Sequence, residues 1–311
     1  MACACIDVGS NTTRLLVADT VEGRLRELMS QRAFTRLGRG LHKRRAIPEE
    51  KIAETAAVVA KQAGLARDMG AGEVVVVATA AIREAENRGE LARAVEEAAG
   101  LAMDILSADE EARLSFLGAT KTLGAPVAGD VGVVDVGGGS TELVFGTVDG
   151  GVSWSESFRI GSGYLADSYI RCDPPAIGEL HDIRRHVQGA FEGLRLPPCE
   201  RAVAVGGSAT SLRRLVGAEL EHETLERSLR ILARTAVSEV ARRFELDPER
   251  VRLLPAGMLI FEEIVDRLGT PLQIGNGGLR EGVILDRLTG PARSSGGDRG
   301  ADATEPSELG R

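Results

Sequence analysis

The chain reads as an α/β protein built from two duplicated domains with a cleft between them, and three observations carry that reading. The sequence aligns with itself at an offset of 128 residues: residues 3–23, CACIDVGSNTTRLLVADTVEG, recur as residues 131–151, VGVVDVGGGSTELVFGTVDGG. Asp7 falls on Asp135, Gly9 on Gly137, Thr13 on Thr141, Leu15 on Leu143 and Gly23 on Gly151. Each copy is an apolar strand ending in Asp, a small-residue turn, a second strand, a tight acidic-Gly turn and a third strand. Turns that short allow only antiparallel neighbours. After each meander the pattern changes to alternating helices and strands, which completes a β-β-β-α-β-α unit.

The elements follow in order. In the first copy the third strand spans residues 24–34. Pro48, Glu49 and Glu50 open a helix to about residue 69, the proline suiting the first helical position and the acids the dipole. Residues 73–78 are a continuous apolar strand of the kind found in buried parallel sheets. A helix over 90–99, a strand over 101–106 and a helix over 109–123 follow. In the second copy the third strand spans 152–160. Helices are expected over 174–194, 209–216, 225–244 and 250–268, strands over 202–205 and 271–274, and a last helix over 279–288. The expected domains are residues 1–124 and 125–290, with the final helix, about 279–290, packing back on the first. Residues 291–311 are polar and Gly/Ser-rich, and a disordered tail is expected.

Composition narrows the class. With 311 residues, 43% of them hydrophobic, the chain can bury two cores. Its 38 Lys+Arg against 46 Asp+Glu leave a net charge of −8, unsuited to a dedicated nucleic-acid binder. No apolar run approaches a membrane span. Cys3, Cys5, Cys172 and Cys199 form no C-x-x-C pair, so reduced thiols and a cytoplasmic address are expected.

The small-residue turns carry the chemistry. Gly9, Ser10, Asn11 and Thr12 in the first copy, and Gly137, Gly138, Gly139 and Ser140 in the second, offer unobstructed backbone N–H groups and hydroxyls to an anion. Gly206, Gly207 and Ser208 form a third such turn, where a helix N-terminus adds positive potential. One such turn is a plain hairpin; three, two of them duplicated and led by Asp, point to phosphate clamps. The arrangement resembles the actin/Hsp70/sugar-kinase superfamily, whose two ribonuclease-H-like domains hold phosphates between their first hairpins. Asp7 and Asp135 close their strands where the loops begin. Facing each other they would hold Mg²⁺ (or Mn²⁺), directly or through water, with Glu142 joining them. The plainer reading is that they cap the turns.

Four further segments sharpen the resemblance: TAAIREA at 79–85, SADEEARL at 107–114, DVGGGSTE at 135–142 and GLREG at 278–282. Together with DVGSNT at 7–12 they closely resemble the Ppx/GppA phosphatases, that is, exopolyphosphatases and guanosine pentaphosphate phosphohydrolases, over about residues 1–290. The resemblance implies Glu111 as the base that activates water, and Arg83 as the guanidinium on the phosphate oxygens. It implies Asp135 and Glu142 at the catalytic centre and the three loops as phosphate grips. From the residues alone, Glu111 fits equally the acidic first turn of a helix, and Arg83 a surface pair with Glu84 or Glu86. Arg280 and Glu281 read as a structural pair or a substrate contact, and Asn276-Gly277 before them is given no metal role.

The expected reaction is release of terminal orthophosphate from polyphosphate. Short chains are favoured, because the additional C-terminal helical domain of the long exopolyphosphatases is missing here; a homodimer surface could stand in for it. Guanosine pentaphosphate is the alternative substrate, weakly disfavoured by only 3% aromatic residues for base stacking. A sugar or acetate kinase and a non-catalytic nucleotide or polyphosphate sensor are more remote alternatives. Within residues 30–45, Arg32, Arg36, Arg39, Lys43, Arg44 and Arg45 occur with no acid. This run is a solvated loop or a landing patch for a polyphosphate chain.

Overall fold

The computed structural model describes residues 1–124 and 127–289. The expected tail at 291–311, and residues 125 and 126 at the expected domain junction, lie outside the described residues.

The first half opens with strands β1 (Ala2–Val8), β2 (Thr13–Val21) and β3 (Arg24–Ala33). The short helix α1 (Leu41–Arg44), the long α2 (Glu49–Asp68), β4 (Ala71–Ala78), α3 (Ala80–Arg83), α4 (Arg88–Ala99), β5 (Met103–Ile105) and α5 (Ala108–Lys121) follow. The second half opens with β6 (Asp130–Val136), β7 (Thr141–Thr147) and β8 (Gly151–Phe158), then α6 (Ser162–Tyr169), α7 (Ile177–Ala190) and β9 (Arg201–Val205). It continues with α8 (Gly206–Val216), β10 (Glu219–Leu220), α9 (His222–Leu232), α10 (Val237–Phe244) and α11 (Pro248–Val251). It closes with α12 (Leu254–Leu268), β11 (Leu272–Ile274) and α13 (Leu279–Thr289).

Two sheets result, ordered β3-β2-β1-β4-β5 and β10-β11-β9-β6-β7-β8. Each contains the expected antiparallel meander, and β4 and β9 join β1 and β6 in parallel. The repeat is therefore one of topology as well as of sequence. No helix among the described residues is long and apolar enough to cross a membrane.

The cores explain where α5 sits. One face of the first sheet packs on α2 and α4 through Ile6, Val8, Val59, Val76 and Val95. Its other face buries Cys3, Cys5, Val75 and Val77 against Leu114 of α5 and Val283 and Ile284 of α13. The two cysteines are thus small apolar core residues. The inner face of the second sheet, with Val131, Val133 and Val203, packs on Ala112, Phe116 and Ala119 of the same helix. Helix α5 lies between the two sheets and belongs to both cores.

Helices α1, α3 and α6 are additional to the sequence reading, α8 begins at Gly206 and not at residue 209, and three further departures have a visible cause. The helix expected over 225–244 is two, α9 and α10. The carboxylate of Asp173 accepts the Val237 N–H at 2.8 Å, capping a helix start with a group from a distant segment. The helix expected over 250–268 is α11 and α12, with Pro255 in the first turn of α12, where its missing N–H leaves no bond unmade. The helix expected from residue 174 begins at Ile177, where Glu179 turns back to accept the Ala176 N–H at 2.9 Å.

Candidate active site

The duplicated loops close in the same way. Gly9 N–H donates to the Thr12 carbonyl at 3.0 Å, and Gly137 N–H to the Ser140 carbonyl at 2.9 Å. Each loop is held from behind through its carbonyls: Gly38 and Arg36 donate to Ser10 and Asn11, and Ser162 and Tyr164 at the start of α6 donate to Gly137 and Gly138. The loops meet face to face. A Cβ on Gly138 would lie 2.9 Å from the Asn11 Cβ, and one on Gly139 2.5 Å from the Ser10 hydroxyl. The third loop is the first turn of α8. Gly206 has φ +80°, and a Cβ there would stand 2.1 Å from a carboxylate oxygen of Asp135. Glycine is required there both by conformation and by that approach.

Across the hairpins, Asp7 pairs in register with Arg14, and Asp135 with Glu142. Glu111 enters from α5, whose N-terminus is capped by the Ser107 hydroxyl. Being shared by both sheets, this helix aims its first turn into the cleft. Glu111 is buried, and the Arg83 guanidinium donates to it at 3.0 Å and to the Leu106 carbonyl at 2.7 Å. Arg83 therefore pairs with neither Glu84 nor Glu86. Those residues pair with Arg159, at 2.8 Å, and Arg45, at 3.1 Å.

Asp7, Glu111, Asp135 and Glu142 line one cavity, and burial there resists their ionisation. Burial, opposed by Arg83 and reinforced by Asp135 and Asp7, pushes the Glu111 carboxyl up to about 7. Burial and Asp7 raise Asp135 to about 6. Glu142 is driven well above the usual carboxylate range by burial, Glu111 and Asp135, although it accepts the Ser157 hydroxyl at 3.0 Å. Asp7 is raised by burial, against the pull of Arg14 and Arg280.

Two residues escaped the sequence reading. Arg14 on β2 is lowered to about 10 by burial and by Arg280 and Arg32. Arg250 in α11 is buried and lowered to about 9 by burial and by Arg32 and Arg14, and its Nε has no hydrogen-bond partner. Both line the cavity that holds the carboxylates, a space of about 120 Å³. The repeat could have flagged Arg14, since the same offset sets it on Glu142. Arg250, expected inside a long helix, gave no signal.

A second cavity, of about 830 Å³, adjoins the first, and Ser10, Asn11, Gly138, Gly139 and Ser140 line both. The basic run divides there. Arg36, Arg39 and Arg45 line the second cavity. Arg44 instead donates to the Arg39 carbonyl at 2.8 Å, and Arg32 lies within electrostatic reach of Arg280. The Lys43 side chain lies outside the described residues.

Among the described residues no group of three or more His, Cys, Asp or Glu side chains is gathered to hold a metal ion. Asp7, Asp135 and Glu142 thus do not form a preformed three-carboxylate site. One Asp7 oxygen is nevertheless shielded from solvent with no hydrogen-bond partner. A hard oxygen so orphaned, beside Asp135, fits Mg²⁺, which takes one or two carboxylates and completes its shell with water and phosphate oxygens.

Two ribonuclease-H-like lobes with glycine-rich loops facing each other between them define a two-domain, actin-like fold. Within that class the chain belongs to the Ppx/GppA phosphatase family, whose sequence profile matches residues 16–290. It is 31% identical to exopolyphosphatase 2 of Mycobacterium tuberculosis, over 92% of this chain and 96% of that protein. The crystal structure of the Aquifex aeolicus Ppx/GppA family member superposes with a TM-score of 0.77 at 27% identity, covering 94% of this chain and 99% of that one. An exopolyphosphatase from Cytophaga hutchinsonii shares the fold, with a TM-score of 0.80 at 20% identity over 93% and 98% of the two chains.

Proposed function

We propose that the protein is an exopolyphosphatase that releases terminal orthophosphate from inorganic polyphosphate, with a preference for short chains. Membership of the family makes it a phosphoanhydride hydrolase. The name of its mycobacterial relative supports polyphosphate as the substrate. The observation that carries the mechanism is the Glu111–Arg83 pair beside the facing phosphate loops.

The loops grip the terminal phosphoryl group through N–H groups and the hydroxyls of Ser10 and Ser140, which orients it for in-line attack. Arg83 turns to the phosphate oxygens and stabilises the charge that spreads over them in the transition state. As it does so, Glu111 loses the partner that holds its proton affinity down. It becomes a stronger base as the substrate arrives and accepts the proton of the attacking water. Mg²⁺, held by Asp7 and Asp135 with Glu142 nearby, would supply neutralisation of phosphate charge. The arginine-lined cavity, of about 830 Å³, offers contacts to only a limited run of phosphates, which supports the short-chain reading.

Orthophosphate release should be compared on triphosphate, on polyphosphates of increasing length and on guanosine pentaphosphate. Highest kcat/KM on a short polyphosphate is the expected result. Preference for guanosine pentaphosphate would move the protein to the alternative activity, and inactivity on all would overturn both.

A further inference from the structure

The larger cavity has two walls, and the sequence revealed only one. Arg36, Arg39, Arg45 and Arg83 come from the first half of the chain, but Arg159 and Arg252, from separate segments of the second half, face them. Three carboxylates also line it, Glu84, Asp167 and Glu249. Six arginines against three acids make this a cationic cleft in a chain of net charge −8. Each acid engages an arginine: Arg159 with Glu84 at 2.8 Å, Arg36 with Glu249 at 3.0 Å and Arg252 with Asp167 at 2.8 Å. The first two pairs join the two halves of the molecule across the cleft. They are partly exposed, the Arg159 side chain by 82%, so each contributes little on its own and gives way readily to a multivalent anion.

We infer that Arg159 and Arg252 are further substrate-binding residues, forming the second wall of a polyphosphate track. Glu84 and Glu249 are the carboxylates that hold two of the track's arginines until phosphates replace them. The loops shared by both cavities fix the direction. A terminal phosphate at Ser10 and Ser140 has Glu111 on its small-cavity side and the arginine cleft on the other. The penultimate and later phosphates then run along the cleft. Their oxygens form charge-assisted bonds with guanidiniums that are already aligned on carboxylates. No covalent step is added. The inference rests on the exopolyphosphatase reading and specifies how that enzyme would measure chain length.

The two halves of one ion pair give the test. Removing an arginine takes a contact from the track, whereas neutralising its carboxylate removes a competitor of the substrate. Arg159→Ala and Arg252→Ala should raise KM for chains long enough to fill the cleft by about two- to five-fold, and less for triphosphate. Glu84→Gln and Glu249→Gln should lower KM for the same chains by a similar factor. Arg185→Ala and Asp182→Asn, which break an exposed 2.8 Å pair, report the effect of net charge alone and should leave KM unmoved. If both members of the Arg159–Glu84 pair shift KM in one direction, the pair is only a structural tie and the inference fails. It fails equally if the Arg185 and Asp182 variants reproduce the shifts, or if the shifts do not grow with chain length. Inactivity of the unmodified protein on all polyphosphates would instead overturn the exopolyphosphatase reading, and the track with it.

Discussion

Burial pushes the Glu111 carboxyl up to about 7, and this bears on both the proposed catalysis and the stability of the fold. In its proposed role as a base it must be ionised, so kcat/KM should fall on the acid side with an apparent pKa near 7. Its effect on folding has the opposite sense. The folded-state value lies above the ordinary 4.5, so between the two the native state binds more protons than the unfolded one. This contribution to stability is complete below about pH 4.5 and is lost as pH rises through 7. Glu111→Gln keeps an acceptor for Arg83 but cannot ionise. Its kcat should drop by about 10² to 10⁴ while polyphosphate still binds. Without ligand, the variant should be more stable than the parent above pH 7, on the order of 3 kcal/mol, and equal to it near pH 4. Parallel pH profiles of denaturant unfolding for the two proteins would overturn the assignment. At this scale the repeat singled out Asp7 and Asp135 and the family motifs Glu111 and Arg83, and the structure places Asp7, Asp135 and Glu111 on one cavity with Arg83 bonded to Glu111. Arg14 was missed because the repeat was read for identities. At that register the duplicated hairpins carry opposite charges, Arg14 opposite Asp7 and Glu142 opposite Asp135.

Helices α5 and α13 set where Glu111 points, and glycines set how closely those helices pack. A Cβ on Gly118 would lie 1.9 Å from the Gly278 carbonyl oxygen, and one on Gly282 1.8 Å from that of Leu114. Both obstacles are backbone, so neither can rotate aside. Gly118→Ala should force the helices apart, costing about 3 kcal/mol or more in denaturant unfolding. It should lower kcat as well, because α5 carries Glu111 and α13 carries Arg280 and Glu281 into the cavity. Gly64 in α2 is the contrast: a Cβ there meets nothing within 4 Å. Gly64→Ala should add about 0.5–1 kcal/mol of stability with activity unchanged. Equal effects at both positions would remove the close-packing argument. The elements themselves were legible where one physical cause dominates, as in the antiparallel meanders and in α2, whose buried Ile52, Ala56, Val59, Ala63 and Ala66 follow helical spacing. Boundaries were illegible where the deciding partner is distant. Nothing near Val237 in sequence announces that Asp173 will cap it, so periodicity carried one helix through the break.

At the scale of the whole molecule, two sheets and two large cores would ordinarily unfold separately, as two domains do. The position of α5 argues otherwise. Leu114 completes the core under the first sheet, while Phe116, two residues on, completes the core under the second. Neither sheet can cover its inner face without this helix, and α13, the last helix of the second half, packs on it and on β1. The same arrangement brings Glu111, the proposed base, into the cavity between the lobes. We therefore expect a single calorimetric transition, with van't Hoff and calorimetric enthalpies equal. Leu114→Ala should cost about 2–5 kcal/mol and Phe116→Ala about 3–5 kcal/mol. Each should move that one transition as a whole, although their side chains face different sheets. Two resolved transitions, with Leu114→Ala lowering one and Phe116→Ala the other, would mean that the lobes fold independently. Glu111 would then owe its position to closure of the lobes and not to a helix that both cores share.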